Sequence, residues 1–213
     1  MDRIGSGELA RMIQGAVDSV RAHHEHLSKL DSATGDGDHG AAMLRSVEAV
    51  AKALKDGAGS APKDLLYNIG WAVMSAAGGA TGPLLGSLFV GLSEGIGEQA
   101  DVDTAGLAGM FEAALASVQK QTKARPGDKT MMDALVPAVQ AIRAAAGAAG
   151  NVEAALGQAA DAALRGAEST QQMQAKFGKA RNLGPRTIGQ QDPGATSIAY
   201  LFRGLADGIS TKV

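Results

Sequence analysis

The chain has no cysteine, which excludes disulfides, thiolate zinc sites and cysteine nucleophiles. Aromatic residues make up only 3%, less than a sugar pocket would ordinarily use. Neither sign of charge dominates. A formal net charge of -2 and a pI near 6.1 give no electrostatic case for binding nucleic acid or an anionic membrane. No run reaches the ~20 apolar residues of a membrane span, and the opening MDRIGSGELARMIQG carries acid and glycine where a secretory signal needs an unbroken apolar stretch. A soluble cytoplasmic protein is the expectation.

What remains is a folding sequence of 213 residues, 45% hydrophobic and 20% charged, read as a single domain over 1–213 with room for a full core. Alanine supplies roughly a fifth of the chain, a bias toward helix over sheet. The 3.6-residue period predicts a first helix from about Glu8 to Leu27, with Leu9, Met12, Ile13, Ala16, Val17 and Val20 on one stripe. The second carries Met43, Leu44, Val47, Val50, Ala51 and Leu54; the third covers about Asp64 to Ala77; the fourth starts at Pro83, a residue preset for a first helical turn. The fifth begins after Thr104 as N-cap, and the sixth follows ARPGDKT with Met132, Leu135, Val136, Val139 and Ile142. Asn151 caps a seventh helix running to about Met173, and Asp192 with Pro193 opens the eighth.

Short connections between helices favour antiparallel neighbours, so the predicted fold is all-α, an eight-helix up-and-down antiparallel barrel or bundle. That topology sorts the loops. Connections one-two (31–40, DSATGDGDHG), three-four (78–83, GGATGP), five-six (125–130, RPGDKT) and seven-eight (176–194) share one end and are rich in Asp, Gly, Lys, Arg and Thr. Those at the other end, DGAGSAP, the stretch around IGEQADVD, and AGAAGN, read as ordinary turns. The asymmetry places a site on the rim at one end.

Asp31, Asp36 and Asp38, with glycines at 35, 37 and 40, form either a solvated acidic turn or a set of convergent carboxylates. Convergent Asp carboxylates select a hard cation such as Mg²⁺ or Mn²⁺. The literal G-x-G-x-x-G at Gly35, Gly37 and Gly40 follows a helix rather than a strand, which argues against a dinucleotide fold. An EF-hand starting at Asp36 would need Glu where Val47 stands, and there is no P-loop.

Phosphate is the expected guest, because helices two, four, six and eight all begin at this end and aim unsatisfied N–H groups at it. Lys129, Lys179, Arg181 and Arg186 could balance its charge. Three carboxylates and a diphosphate bring roughly six negative charges, which favours two divalent ions over one. No Ser-His-Asp set and no covalent nucleophile is evident, so no catalytic residue is assigned; His39 reads as a phosphate contact or a loop-fixing group.

At these four loops the sequence closely resembles the nucleotide-binding L subunits of dihydroxyacetone kinases, through GDGDHG (35–40), GGATGPLLGSLF (78–89), PGDKTMMDALVP (126–137) and IGQQDPGATS (188–197). The resemblance implies an eight-helix barrel that holds ADP or ATP through two Mg²⁺ ions bound by Asp31, Asp36 and Asp38. It implies nucleotide contacts at His39, Gly40, Ala80, Thr81, Thr122, Met131, Lys179, Asp192 and Gly194. It also implies a separate K-type subunit that holds a small ketose covalently on a histidine. The phosphoryl group then comes from ATP, or through resident ADP recharged by a phosphotransferase-system M subunit; a regulator that docks to a transcription factor is a further role implied for such chains. The chain departs from the family pattern at Ala42, where Asn is frequent, at Lys179 for Arg, at Arg181 and Asn182 for Ser and Tyr, and at Gln190 for His.

Overall fold

The computed structural model describes residues 1–148 and 150–210. Among these, eight α-helices account for the architecture: α1 (Ser6–Thr34), α2 (His39–Asp56), α3 (Pro62–Ala76), α4 (Thr81–Ile96), α5 (Thr104–Gln121), α6 (Met132–Gly147), α7 (Val152–Ser169) and α8 (Pro193–Ser210). Each packs on its neighbours in the chain, and α8 returns to pack extensively on α1, closing the ring. The expected all-α, up-and-down fold is the one observed. The described residues contain no strand, only an isolated antiparallel bridge between Ile4 and Val102, and no helix is long and apolar enough to cross a membrane.

The inward stripes meet in one continuous core. Leu66, Ile69, Leu107, Met110, Leu135, Ile142, Leu156 and Phe202 are fully buried, each stabilising the fold by about 1.5–3 kcal/mol relative to exposure. Phe111 and Phe202 lie with ring centroids 5.3 Å apart across the interior. A void of about 30 Å³ remains beside Leu66, Leu107, Met110, Phe111 and Phe202. The scarcity of large aromatics is matched by close helix approach: a Cβ at Gly15 of α1 would collide with the carbonyl of Gly204 on α8.

Helix ends depart from expectation in three places. α1 continues past Leu27 to Thr34, because nothing from Ser28 to Thr34 breaks a helix, and it stops only where Gly35 N bonds to Asp31 O at 2.5 Å. Thr104 is the first residue of α5 rather than its cap. Asp103 Oδ1 accepts from Gly106 N at 2.9 Å, while Thr104 Oγ1 donates to Gly150 O at 2.7 Å; a carboxylate next to a hydroxyl is the stronger cap for the positive end of a helix. α4 begins at Thr81, with Pro83 third, which costs nothing because first-turn N–H groups have no intrahelical partner. α7 is capped as expected, Asn151 Oδ1 accepting from Ala154 N at 2.8 Å. It gives way to a short 3₁₀ turn (Thr170–Gln172), and a second 3₁₀ segment (Lys179–Thr187), broken at Gly184, crosses the rim before α8.

Candidate functional site

The four connections predicted to share an end do so, and they surround one cleft of about 540 Å³. Asp31, Asp36, Asp38 and His39 line it from the first connection, Gly78 to Thr81 from the second, Thr122, Ala124 and Lys129 to Met132 from the third, and Phe177 to Ala180 with Asp192 to Gly194 from the fourth. Every residue expected to contact metal or nucleotide lines it except Gly40, which lies just behind. There the bare Cα lets the start of α2 sit against α1, where a Cβ would strike His24 O and Ser28.

Oxygens of Asp31, Asp36 and Asp38 all lie within 4.8 Å of one another. Three local devices bring them together. Asp31 rides the last turn of α1, and its Oδ2 accepts from His39 N at 3.2 Å, tying it to the first turn of α2. Gly37 takes a φ of +79°, open to glycine at little cost, and so turns the chain between Asp36 and Asp38. Lys179, from the opposite wall, forms an ion pair with Asp36 that holds the carboxyl of Asp36 below its usual range and its own ammonium above. A cation therefore already occupies the neighbourhood where the carboxylates converge. Three hard oxygen donors without sulfur or imidazole suit Mg²⁺.

The cap chemistry of the two ends differs, apart from α8, which has a side-chain cap at the cleft. Away from the cleft, α5 and α7 carry side-chain caps, α3 opens with Pro62, and Gly5 N ahead of α1 bonds to Glu8 Oε2 at 3.0 Å. At the cleft, the N-cap residues of α2, α4 and α6, namely Asp38, Ala80 and Met131, make no side-chain cap hydrogen bond. These helix starts point partial positive charge at the cavity, the ordinary setting of an anion site. The loop before α6 is built by Asp133, which is 4% exposed; its Oδ1 accepts from Gly127 N at 2.5 Å and its Oδ2 from Thr130 N at 2.8 Å.

His39 is largely enclosed. Its Nε2 lies 2.6 Å from Ser197 Oγ, and Ser197 in turn donates to Pro193 O at 2.7 Å, so the hydroxyl oxygen is the acceptor for an Nε2–H. Burial pushes the imidazole pKa down, against Asp31 and Asp38, which raise it. Asp192 caps α8 by accepting from Ala195 N at 2.7 Å, as expected. The residue as a whole keeps intermediate exposure, but its carboxyl is packed closely enough that burial pushes its pKa up to about 7. Between the ordinary 3.8 and 7, the folded protein holds a proton that the unfolded chain has lost, so this group's contribution to stability falls as pH rises through that window. Asp192→Asn keeps an oxygen for Ala195 N and removes the titration. Wild-type protein is therefore expected to gain melting temperature relative to the variant on going from pH 7.5 to 5. Melts of both proteins at the two pH values check this, and a difference that ignores pH contradicts it. His39 has the opposite sign, its lowered pKa costing stability as pH falls below about 6.5, and cancels in the comparison.

Of the four cations expected to balance phosphate, only Lys179 has its head group over the acidic cluster. Lys129 is buried, and its ammonium donates to the carbonyls of Thr170, Thr187 and Gln190 at 2.7, 2.8 and 2.5 Å. Arg181 and Arg186 lie outside the cleft lining. Sequence reasoning missed Arg45, an exposed guanidinium on the cleft wall; its spacing of seven from Asp38, two helical turns on the same face, was the available signal. It also passed over Asp133.

The chain matches the DAK2 domain model over residues 33–207. It belongs to the DhaL family of DAK2 domains. The ADP-binding subunit DhaL of the PEP-dependent dihydroxyacetone kinase from Escherichia coli (strain K12) is 38% identical over 189 residues, which cover 89% of this chain and 90% of that one. The D-erythrulose kinase of Mycolicibacterium smegmatis is 33% identical over 212 residues; the match takes in 98% of this chain but only 36% of the kinase. Among solved structures, the dihydroxyacetone kinase from C. freundii in complex with AMP-PNP and Mg²⁺ superposes with a TM-score of 0.71 at 27% identity, over 93% of this chain and 33% of that one. The family drawn from the four loop motifs is thus the family observed, and the cleft of this DhaL-type chain is assembled from those same four loops.

Proposed function

We propose that this chain is the nucleotide-binding phosphotransferase subunit of a dihydroxyacetone-type kinase, and that residues 1–213 form a single nucleotide-binding domain. The observation that carries the reading is the convergence of three carboxylates in the same cleft where four helices begin. In this reading Asp31, Asp36 and Asp38 hold two Mg²⁺ ions, and ADP or ATP contacts His39, Gly40, Ala80, Thr81, Thr122, Met131, Lys179, Asp192 and Gly194. When bound, the ions supply countercharge to the phosphates and to the charge that develops during transfer.

The chain's own groups do the remaining work. The starts of α2, α4 and α6 orient the phosphates through backbone N–H groups that need no reorganisation during the reaction. His39, kept neutral by burial and fixed by Ser197, offers a positioned imidazole edge. Lys179 reaches the phosphate from the opposite wall on a flexible stem. No covalent role is assigned to any cleft residue, and the acceptor is carried elsewhere: dihydroxyacetone or a related tetrulose, held covalently on a K-type subunit. ADP stays resident and is recharged by a phosphotransferase-system M subunit. The strong match to separate ADP-binding DhaL subunits favours this route over direct use of ATP.

The test is to denature the protein as purified, without added nucleotide, and to identify released nucleotide by chromatography together with a magnesium assay. About one ADP and about two Mg²⁺ per chain are expected. An empty protein that then binds Mg-ATP reversibly would replace the resident-ADP route by an ATP-dependent kinase, and one that binds neither would overturn the site.

A further inference from the structure

Lys129 sits where the sequence suggested a phosphate-binding cation, yet its head group is taken up by backbone carbonyls. The residue is 3% exposed. An ammonium has three protons to donate, and all three have acceptors: Thr170 O at 2.7 Å, Thr187 O at 2.8 Å and Gln190 O at 2.5 Å. These carbonyls come from the end of α7, the end of the second 3₁₀ segment and the approach to α8. One side chain on the loop before α6 thus joins the start of the long connection that forms the opposite wall to its last stretch before α8. Its backbone has a φ of +60°, the left-handed value found at no other described non-glycine residue. That conformation is unfavourable for a side chain with a Cβ and persists where surrounding contacts impose it. No carboxylate touches the ammonium; Asp192 and Asp133 act on it at longer range, each raising a pKa that burial lowers.

The wall it gathers is the one that carries the cleft. Asp192 N donates to Thr170 Oγ1 at 2.8 Å, Gly189 N to Gln171 O at 2.8 Å, and Ala175 N to Thr187 Oγ1 at 3.0 Å. Thr170 and Thr187 therefore each link the ammonium to backbone that leads directly to Asp192 and Gly194 on one side and to Lys179 on the other. We infer that Lys129 is a positioning residue, an internal cation in a three-carbonyl cage that sets where Asp192, Gly194 and Lys179 stand relative to Asp31, Asp36 and Asp38. Its ammonium acts through the wall, its three donors being held by carbonyls, rather than on the nucleotide. This rests on the nucleotide site proposed above.

A cage of three carbonyl oxygens is also a site for a small monovalent cation once the tethered ammonium is removed, which gives a test that simple loss of packing would not mimic. Calorimetric titration with Mg-ADP is made on wild type, Lys129→Met and Lys129→Ala, each first stripped of nucleotide, the last in 100 mM ammonium chloride and, separately, in 100 mM tetramethylammonium chloride, a cation too large for the cage. Lys129→Met is expected to weaken Mg-ADP binding between about 10- and 100-fold, the scale of a small displacement of binding groups. Ammonium is expected to restore Lys129→Ala several-fold, and tetramethylammonium not at all. Unchanged affinity in Lys129→Met, or equal behaviour of Lys129→Ala in the two salts, overturns the inference. If Lys129→Ala does not fold in plain buffer, ammonium alone must recover its helical circular dichroism, and failure to do so counts against the cage. Should wild type bind no Mg-ADP, the nucleotide reading fails by itself. The cage is then judged by amide hydrogen exchange over residues 173–190 of Lys129→Ala, which ammonium, and not tetramethylammonium, should slow.

Discussion

Replacing Asp36 by Asn is expected to lower phosphoryl transfer in the system reconstituted with a K-type subunit by at least about 100-fold, the scale on which single groups that stabilise transition-state charge act. The melting temperature should be unaltered. Asp36 is exposed and its side chain's ionic partner is Lys179, itself exposed, so the fold hardly depends on the carboxylate. The metal set does, because Asn keeps the shape and one oxygen while removing a third of the cluster's charge. Excess Mg²⁺ should recover part of the loss if the defect is weakened metal binding. Turnover equal to wild type at low Mg²⁺ would remove Asp36 from the site, whereas a variant that melts early would show that the effect belongs to folding.

The second large effect is expected at Asp133→Ala, for the opposite reason. This carboxylate is buried and holds the amides of Gly127 and Thr130. Its removal breaks two hydrogen bonds to a charged acceptor, from the amides of exposed Gly127 and half-buried Thr130, at about 1.5–3 kcal/mol each. A destabilisation of about 3 kcal/mol is expected by chemical denaturation, with loss of nucleotide binding, because the loop it shapes also carries Lys129 and Met131. Asp133→Asn, which can still accept one of the two bonds, should fall between. A stability change under about 0.5 kcal/mol in the alanine variant would mean that the loop is held by other contacts.

These two aspartates also mark what could be read from sequence and what could not. Asp36 stands in a run whose composition is itself the signal: three acids spaced by glycines, at the end of the molecule where the other connections are also polar. Asp133 stands inside PGDKTMMDALVP at a helical position, and nothing local distinguishes a first-turn acid that satisfies the helix dipole from one that folds the preceding loop. The helices followed from their apolar stripes because burial has the period of the helix itself, and Asn151 and Asp192 cap as their positions suggest. Thr104 misled because neighbouring residues can both cap and only the surroundings choose; here Gly150 takes the Thr104 hydroxyl and leaves the role to Asp103.

Lys129 is the sharpest case. A lysine beside Gly and Thr in a rim loop has the composition of a phosphate ligand, yet its ammonium is bound by carbonyls 41, 58 and 61 residues further along the chain. Contacts at that separation leave no trace in local pattern. The 3₁₀ segment Lys179–Thr187 was equally invisible, since Gly184 and Pro185 read as loop and the wall is organised by that distant cation rather than by its own periodicity. Arg45 lay within reach of register arithmetic, and with Lys179 it places two guanidinium or ammonium groups on facing walls of a cleft whose floor is acidic.

The most direct measurement is a calorimetric titration of ADP, into protein stripped of nucleotide, with Mg²⁺ and again with a chelator in its place. A site built on three carboxylates and uncapped helix starts requires one ADP per chain that binds with Mg²⁺ and is lost in the chelator, because ADP phosphates cannot approach the acidic cluster without intervening cations. Binding that is indifferent to Mg²⁺, or no binding in either condition, would contradict it.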